Sequence, residues 1–217
     1  MPTPYAPEEV SAAVRLFDQR GDAVRFHHRG EHLAVVFEVD NAEHQARAAL
    51  GVGPITNLRD VAALWELPYE WPVATSSIRA PVLNHLMTLD GAVSREARGE
   101  VARRVRQPGR VLLAAGALGK WTKTLSALGS FVTVAPRVVV GTDACFSEEH
   151  RLQAALWGLG LAVAGPVPRV IATPVAPIVE FGPHHWCLAE QLYQAWLSGS
   201  VISTPTPSVA VGESVGY

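Results

Sequence analysis

The sequence predicts an α/β fold, a mixed or mostly parallel sheet with helices on both faces, preceded by a smaller α+β segment. Three observations carry that reading. Residues 110–197 alternate short apolar runs with helix-length amphipathic stretches in a βαβαβα pattern. The strand-like runs, Arg110-Val-Leu-Leu-Ala-Ala115 and the stretch ending in Val138-Val-Val140, are almost continuously apolar, as strands covered on both faces are. The chain of 217 residues is 48% hydrophobic and 18% charged, a globular composition with material for one sizeable core or two small ones.

A first helix is expected after Pro7, where Glu8 and Glu9 favour the positive end of the dipole, running to about Arg20 with Val10, Val14 and Phe17 on one side and Gly21 behind it. Residues 25–40 read as two strands about a His28-Arg29-Gly30-Glu31 turn. Asn41 caps a short helix to Leu50, and Leu58, Val61, Ala62 and Trp65 mark another over 56–66. Residues 1–66 are thus an N-terminal α+β segment, and 67–81, with Pro68, Trp71 and Pro72, a connector. The α/β core covers 82–197. It begins with helices over 82–89 and 94–107, then strand 110–115, helix 119–128, strand 131–140, helix 147–157 and strand 170–173. Gly182-Pro183 opens the last helix, with Trp186, Ala189, Tyr193 and Trp196 on one stripe. Residues 198–217, rich in Ser, Thr, Gly, Pro and Val with one charge, read as a disordered tail.

Composition narrows the function classes. Net charge is −2, so the chain as a whole is not a polybasic nucleic-acid binder. Cys145 and Cys187 are too few for a disulfide scaffold and read as reduced thiols, and the N-terminus lacks a cationic segment followed by an apolar stretch. Both point to a cytoplasmic protein. The apolar window Leu152–Val179 is interrupted by prolines at 166, 168, 174 and 177, which a spanning helix does not tolerate. The sequence contains no Gly-x-Ser-x-Gly, no His-Glu-x-x-His and no Gly-x-Gly-x-x-Gly after a strand, so no cofactor is expected.

Charge is distributed unevenly. Residues 95–123 carry Arg95, Arg98, Arg103, Arg104, Arg106, Arg110, Lys120 and Lys123 against Glu96 and Glu100, a local +6, whereas the flanks are acidic. On the expected helix 94–107, Arg95, Arg98 and Arg106 share an arc beside the seam of Ala97, Val101 and Val105, and Glu100 pairs with Arg104. Nucleic-acid or acidic-partner contact through Arg95, Arg98, Arg103, Arg106, Arg110, Lys120 and Lys123, without catalysis, is the expected function. Gly119-Lys120 follows a strand like a phosphate loop, but Ala114 and Trp121 stand where a Walker A motif needs Gly and a hydroxyl.

The alternative is an enzyme, a hydrolase or transferase, built on Asp143 and Cys145 at a strand end with His150 or His184. Ser147-Glu148-Glu149 in the same stretch reads equally as a helix cap. A third reading is a structural subunit of a larger assembly, a homo-oligomer included, with six Trp residues to supply a partner-facing patch. The histidines fall in groups, His27-His28-x-x-x-His32 and His184-His185, with His44, His85 and His150 alone. The first group straddles a turn and the second sits in a helix's first turn, where neighbours point about 100° apart. Neither brings the companion ligands of a zinc site, and no metal is expected.

In element order the second half resembles the core of the restriction-endonuclease-like nucleases. That family's site pairs an acid with a Lys two residues later, whereas Leu118 and Trp121 precede Lys120 and Lys123 by that spacing here. The resemblance implies a nuclease-like fold without that chemistry.

Overall fold

The computed structural model describes residues 7–17 and 20–202. Its centre is a six-stranded mixed sheet in the order β1 (Asp22–His28), β2 (Glu31–Val39), β6 (Gly109–Ala117), β7 (Arg137–Gly141), β8 (Gly160–Val163), β9 (Arg169–Ala172). β6, β7 and β8 are parallel, and the outer pairs are antiparallel. The strands of the N-terminal segment therefore belong to the same sheet as those of residues 110–197. β1 and β2 join through Arg29 and Gly30, both left-handed at φ 50° and 79°, the geometry of a two-residue turn that preserves strand twist.

Side chains alternate between the faces. Ala34, Val36, Leu113, Ala115, Val138 and Val140 meet helix α1 (Pro7–Val14) through Val10, Ala13 and Val14. Val35, Phe37, Ala114 and Val139 point the other way. On that second face lie α5 (Trp121–Leu128) and α6 (Glu148–Leu156), which cross over between the parallel strands, and α7 (Pro183–Leu197). Asp40 caps α2 (Asn41–Leu50) by accepting from the Glu43 N–H at 3.1 Å, one residue earlier than expected, and Gly51 closes that helix at φ 68°.

Between β2 and β6 the chain builds a second, smaller unit. It comprises α3 (Leu58–Trp65), α4 (Ala80–Leu86) and a three-stranded antiparallel sheet of β3 (Val73–Ala74), β5 (Glu100–Arg103) and β4 (Val93–Glu96). Its core of Val61, Leu64, Leu86, Val101 and Val105 closes against Trp186 and Cys187 of α7. That helix is buried on both sides, by Leu188, Ala189 and Leu192 against the large sheet and by Trp186 and Cys187 against the small unit.

Three expectations give way. Residues 94–107 form the β4–β5 hairpin and not a helix. Arg98 and Gly99 both adopt left-handed φ, 73° and 72°, which reverses the chain before a helical turn can propagate, and Val101 fits a half-buried strand as well as a helical seam. β8 lies between the expected helix 147–157 and the expected strand 170–173, where no element was expected. Residues 198–202 are ordered: Ile202 donates its N–H to Ala23 O at 2.7 Å and Ser200 O accepts from Arg25 at 2.8 Å, covering the exposed edge of β1. The rest of the expected tail, 203–217, lies outside the described residues. Among the described residues no helix is long and apolar enough to cross a membrane.

Candidate functional site

The hairpin disperses the basic segment. Arg95 on β4 and Arg98 at its turn are exposed, with no salt bridge among the described residues. Arg103 is drawn inward: it donates to Leu64 O at 3.2 Å and lies over the rings of Trp186 and Tyr69, 5.0 and 6.0 Å from their centroids. Burial holds its guanidinium below the ordinary arginine value. Arg106 pairs with Asp40 at 3.0 Å and Glu43 at 3.4 Å, and Arg110 pairs with Glu38. Lys120 and Lys123 are exposed at the start of α5. Arg110 and Lys120 stand at opposite ends of β6, roughly 25 Å apart at the usual rise of a strand. The seven residues thus do not form one surface.

At the end of β7, Cys145 lies in a 3₁₀ turn spanning Asp143–Cys145; the side chain of Asp143 is outside the described part of the structure. The Cys145 thiol meets Thr142 Oγ1 at 2.7 Å. His150 Nδ1 donates to the Cys145 carbonyl oxygen at 3.1 Å and stacks its ring on Trp121 at 4.5 Å. Ser147 Oγ accepts from the His150 N–H at 3.2 Å, so Ser147-Glu148-Glu149 caps α6. His184 lies elsewhere, at the start of α7. Of the first histidine group, His27 and His32 converge across β1 and β2, centroids 4.9 Å apart, while His28 points to the opposite face. Among the described residues no group of three or more His, Cys, Asp or Glu side chains is placed to hold a metal ion.

Where His28 points, the structure assembles a site that the sequence alone did not reveal. A cleft of about 570 Å³ opens between the end of β1, the loop after α5 and the start of α7. Its polar lining includes His28, Ser130, His184, His185, Cys187 and Gln191; Leu58, Val134, Phe181 and Leu188 give it apolar walls. His28 Nε2 and Ser130 Oγ are 2.8 Å apart. The imidazole is fixed by stacking on Phe26 (centroids 5.5 Å, 14° between planes) and by the edge contact with Phe131 at 6.2 Å. Val24, Phe26 and His28 alternate onto one face of β1, the pattern that could have shown His28 to be inward-facing.

The other wall is the N-terminus of α7. Gly182 caps this fifteen-residue helix without a side chain, Pro183 contributes no N–H, and the first turn carries no acid. The N–H groups of His184 and His185 are therefore left without the usual cap, at the positive end of the helix dipole. His185 is 5% exposed, packs on Phe181 at 5.2 Å and leaves Nδ1 without a hydrogen-bond partner. The Cys187 thiol donates to Thr56 O at 3.2 Å; burial, then the charges of Glu190 and Asp60, push it above the ordinary thiol value, so it stays protonated. Arg29 supplies a cation at the rim and Glu180 an acid, whose backbone N–H bonds Thr133 O at 3.1 Å.

No family model, curated protein or solved structure matches the chain. The likeness to restriction-endonuclease-like nucleases therefore rests on element order alone.

Burial lowers His185 below the ordinary imidazole value of 6.5, and burial, followed by the charges of Arg29 and His27, lowers His28. Below that value the unfolded chain binds more protons than the folded one, so stability is full above it and falls as the pH drops toward the lowered values. The urea midpoint is expected to fall from about pH 7 to about pH 5, with a shallower slope in His185→Gln. Equal slopes in both proteins would contradict the assignment.

Proposed function

We propose that the cleft at the start of α7 binds a small molecule with an anionic head, a carboxylate or a phosphate, and an apolar body. The observation that carries this reading is His185, buried in the cleft wall with an unsatisfied ring nitrogen at the head of an uncapped helix. A buried unpaired polar group costs about 1–3 kcal/mol, which a ligand that bonds it relieves. The helix end and Arg29 make the local field favourable to negative charge, and Glu180 at the rim restricts how far that charge extends. Leu58, Val134, Phe181 and Leu188 suit an apolar body, and the volume suits a small molecule.

Gly182 provides a specific test. It is extended, at φ −177°, a conformation open to any residue, and a Cβ there meets nothing within 4 Å. Gly182→Asp places a capping carboxylate on the same N–H groups. With ¹⁵N-histidine-labelled protein, phenyl phosphate or phenylbutyrate is expected to shift the His185 ring resonances saturably. In Gly182→Asp, affinity falls about tenfold, the scale of a displaced charge-assisted hydrogen bond, while helix stability is kept. Absence of a saturable shift, or unchanged affinity in Gly182→Asp, overturns the reading.

A second reading is favoured by the exposure of Arg95, Arg98, Lys120 and Lys123: non-catalytic contact with nucleic-acid phosphates. Four such contacts give a log–log salt slope no steeper than about −4. Fluorescence anisotropy with duplex DNA is expected to show salt-sensitive binding that weakens when all four are changed to Ala. Binding indifferent to those changes removes this reading.

A further inference from the structure

We infer that Ser130 is a nucleophile and His28 its general base, so that the cleft cleaves an ester whose acid product is the anionic, apolar-bodied ligand described above. The inference rests on that ligand reading and adds a reaction to it.

The pair has the geometry the chemistry needs. Ser130 Oγ and His28 Nε2, 102 positions apart in sequence, lie 2.8 Å from each other in the wall of the cleft. A serine hydroxyl is a weak nucleophile unless a base takes its proton, and an imidazole can do so only when it is unprotonated. His28 meets that condition, since its surroundings disfavour the imidazolium. Its orientation comes from the Phe26 stack and the Phe131 edge. The helix end opposite supplies N–H groups for an oxyanion, and the Glu180 N–H to Thr133 O bond ties the approach to α7 to the loop carrying Ser130. The competing nucleophile in the cleft, Cys187, is committed as a donor to Thr56 O.

The steps balance. Ser130 Oγ bonds to the ester carbonyl carbon as its proton passes to His28 Nε2, and the carbonyl oxygen becomes an anion facing the α7 N–H groups. The carbon–oxygen bond to the alcohol breaks, and the leaving oxygen takes the proton from His28. Water then attacks the acyl-serine, giving one proton to His28; Ser130 leaves with that proton, and the acid formed is released as a carboxylate, its remaining proton passing to solvent.

The test uses the full chain and an alkyl fluorophosphonate, with the modified residue located by peptide mass, beside release of para-nitrophenol from para-nitrophenyl butyrate. Label on Ser130 is expected, none in Ser130→Ala, and a labelling rate reduced about 10²–10⁴-fold in His28→Gln, which keeps a polar group but not a base. Near-ultraviolet circular dichroism establishes that both variants retain their packing. An unlabelled Ser130, or His28→Gln labelling at the parent rate, overturns the inference. If phenylbutyrate still shifts His185 in that case, the binding reading survives; if it does not, both fall.

Discussion

A buried guanidinium holds the two units of this protein together. Arg47 on α2 is fully buried and donates to Glu190 of α7 through both terminal nitrogens, at 2.6 and 2.9 Å, and to Glu43 through Nε at 2.7 Å. It also reaches Arg106 O at 2.6 Å. Glu190 accepts further from Trp186 Nε1 and from the N–H of Ile55, and Glu43 from the N–H of Arg106. Burial alone would lower the Arg47 guanidinium, but the hydrogen bonds and charges of Glu190 and Glu43 hold it above its ordinary value. Such a cluster adds little net stability compared with an apolar core. Its force lies in the penalty for misplacing any member, which leaves an uncompensated charge in the interior.

That penalty fixes α7. The helix touches the large sheet on one side and the small unit on the other, and apolar packing alone tolerates small slides along such a groove. Glu190, bonded to Arg47 and to the Ile55 N–H, both outside α7, permits one rotation and one axial position. With Glu190 set, His185 and the uncapped helix end less than two turns away are set as well, opposite Ser130 and His28. The cleft is thus a consequence of how the two units are joined.

Much of the fold was legible in residue patterns. Strands β6, β7 and β9 with helices α5, α6 and α7, the Arg29-Gly30 turn, the Ser147 cap and the Gly182-Pro183 start follow from local chemistry, and the structure has them, whereas the short strand β8 was not foreseen. The hairpin at 93–103 was not legible, because Ala97, Val101 and Val105 fit a helical seam and the left-handed Arg98 overrides it. The basic segment looked continuous in sequence, yet strand β6 separates Arg110 from Lys120, and Arg103 and Arg106 turn inward toward Trp186 and Glu43. The cleft was the least legible feature. Its members come from β1, the loop after α5 and α7, and a single histidine or serine carries no sign of its partner; only the alternation of Val24, Phe26 and His28 hinted at one.

The most direct measurement is amide hydrogen exchange on Arg47→Met, which keeps the aliphatic bulk and strands Glu43 and Glu190 without their cation. If the buried guanidinium fixes α7, the opening free energy of that helix drops by about 3–5 kcal/mol, while β6, β7 and β8 keep most of their protection. Unchanged protection of α7 would contradict the account and leave apolar packing as what positions the helix.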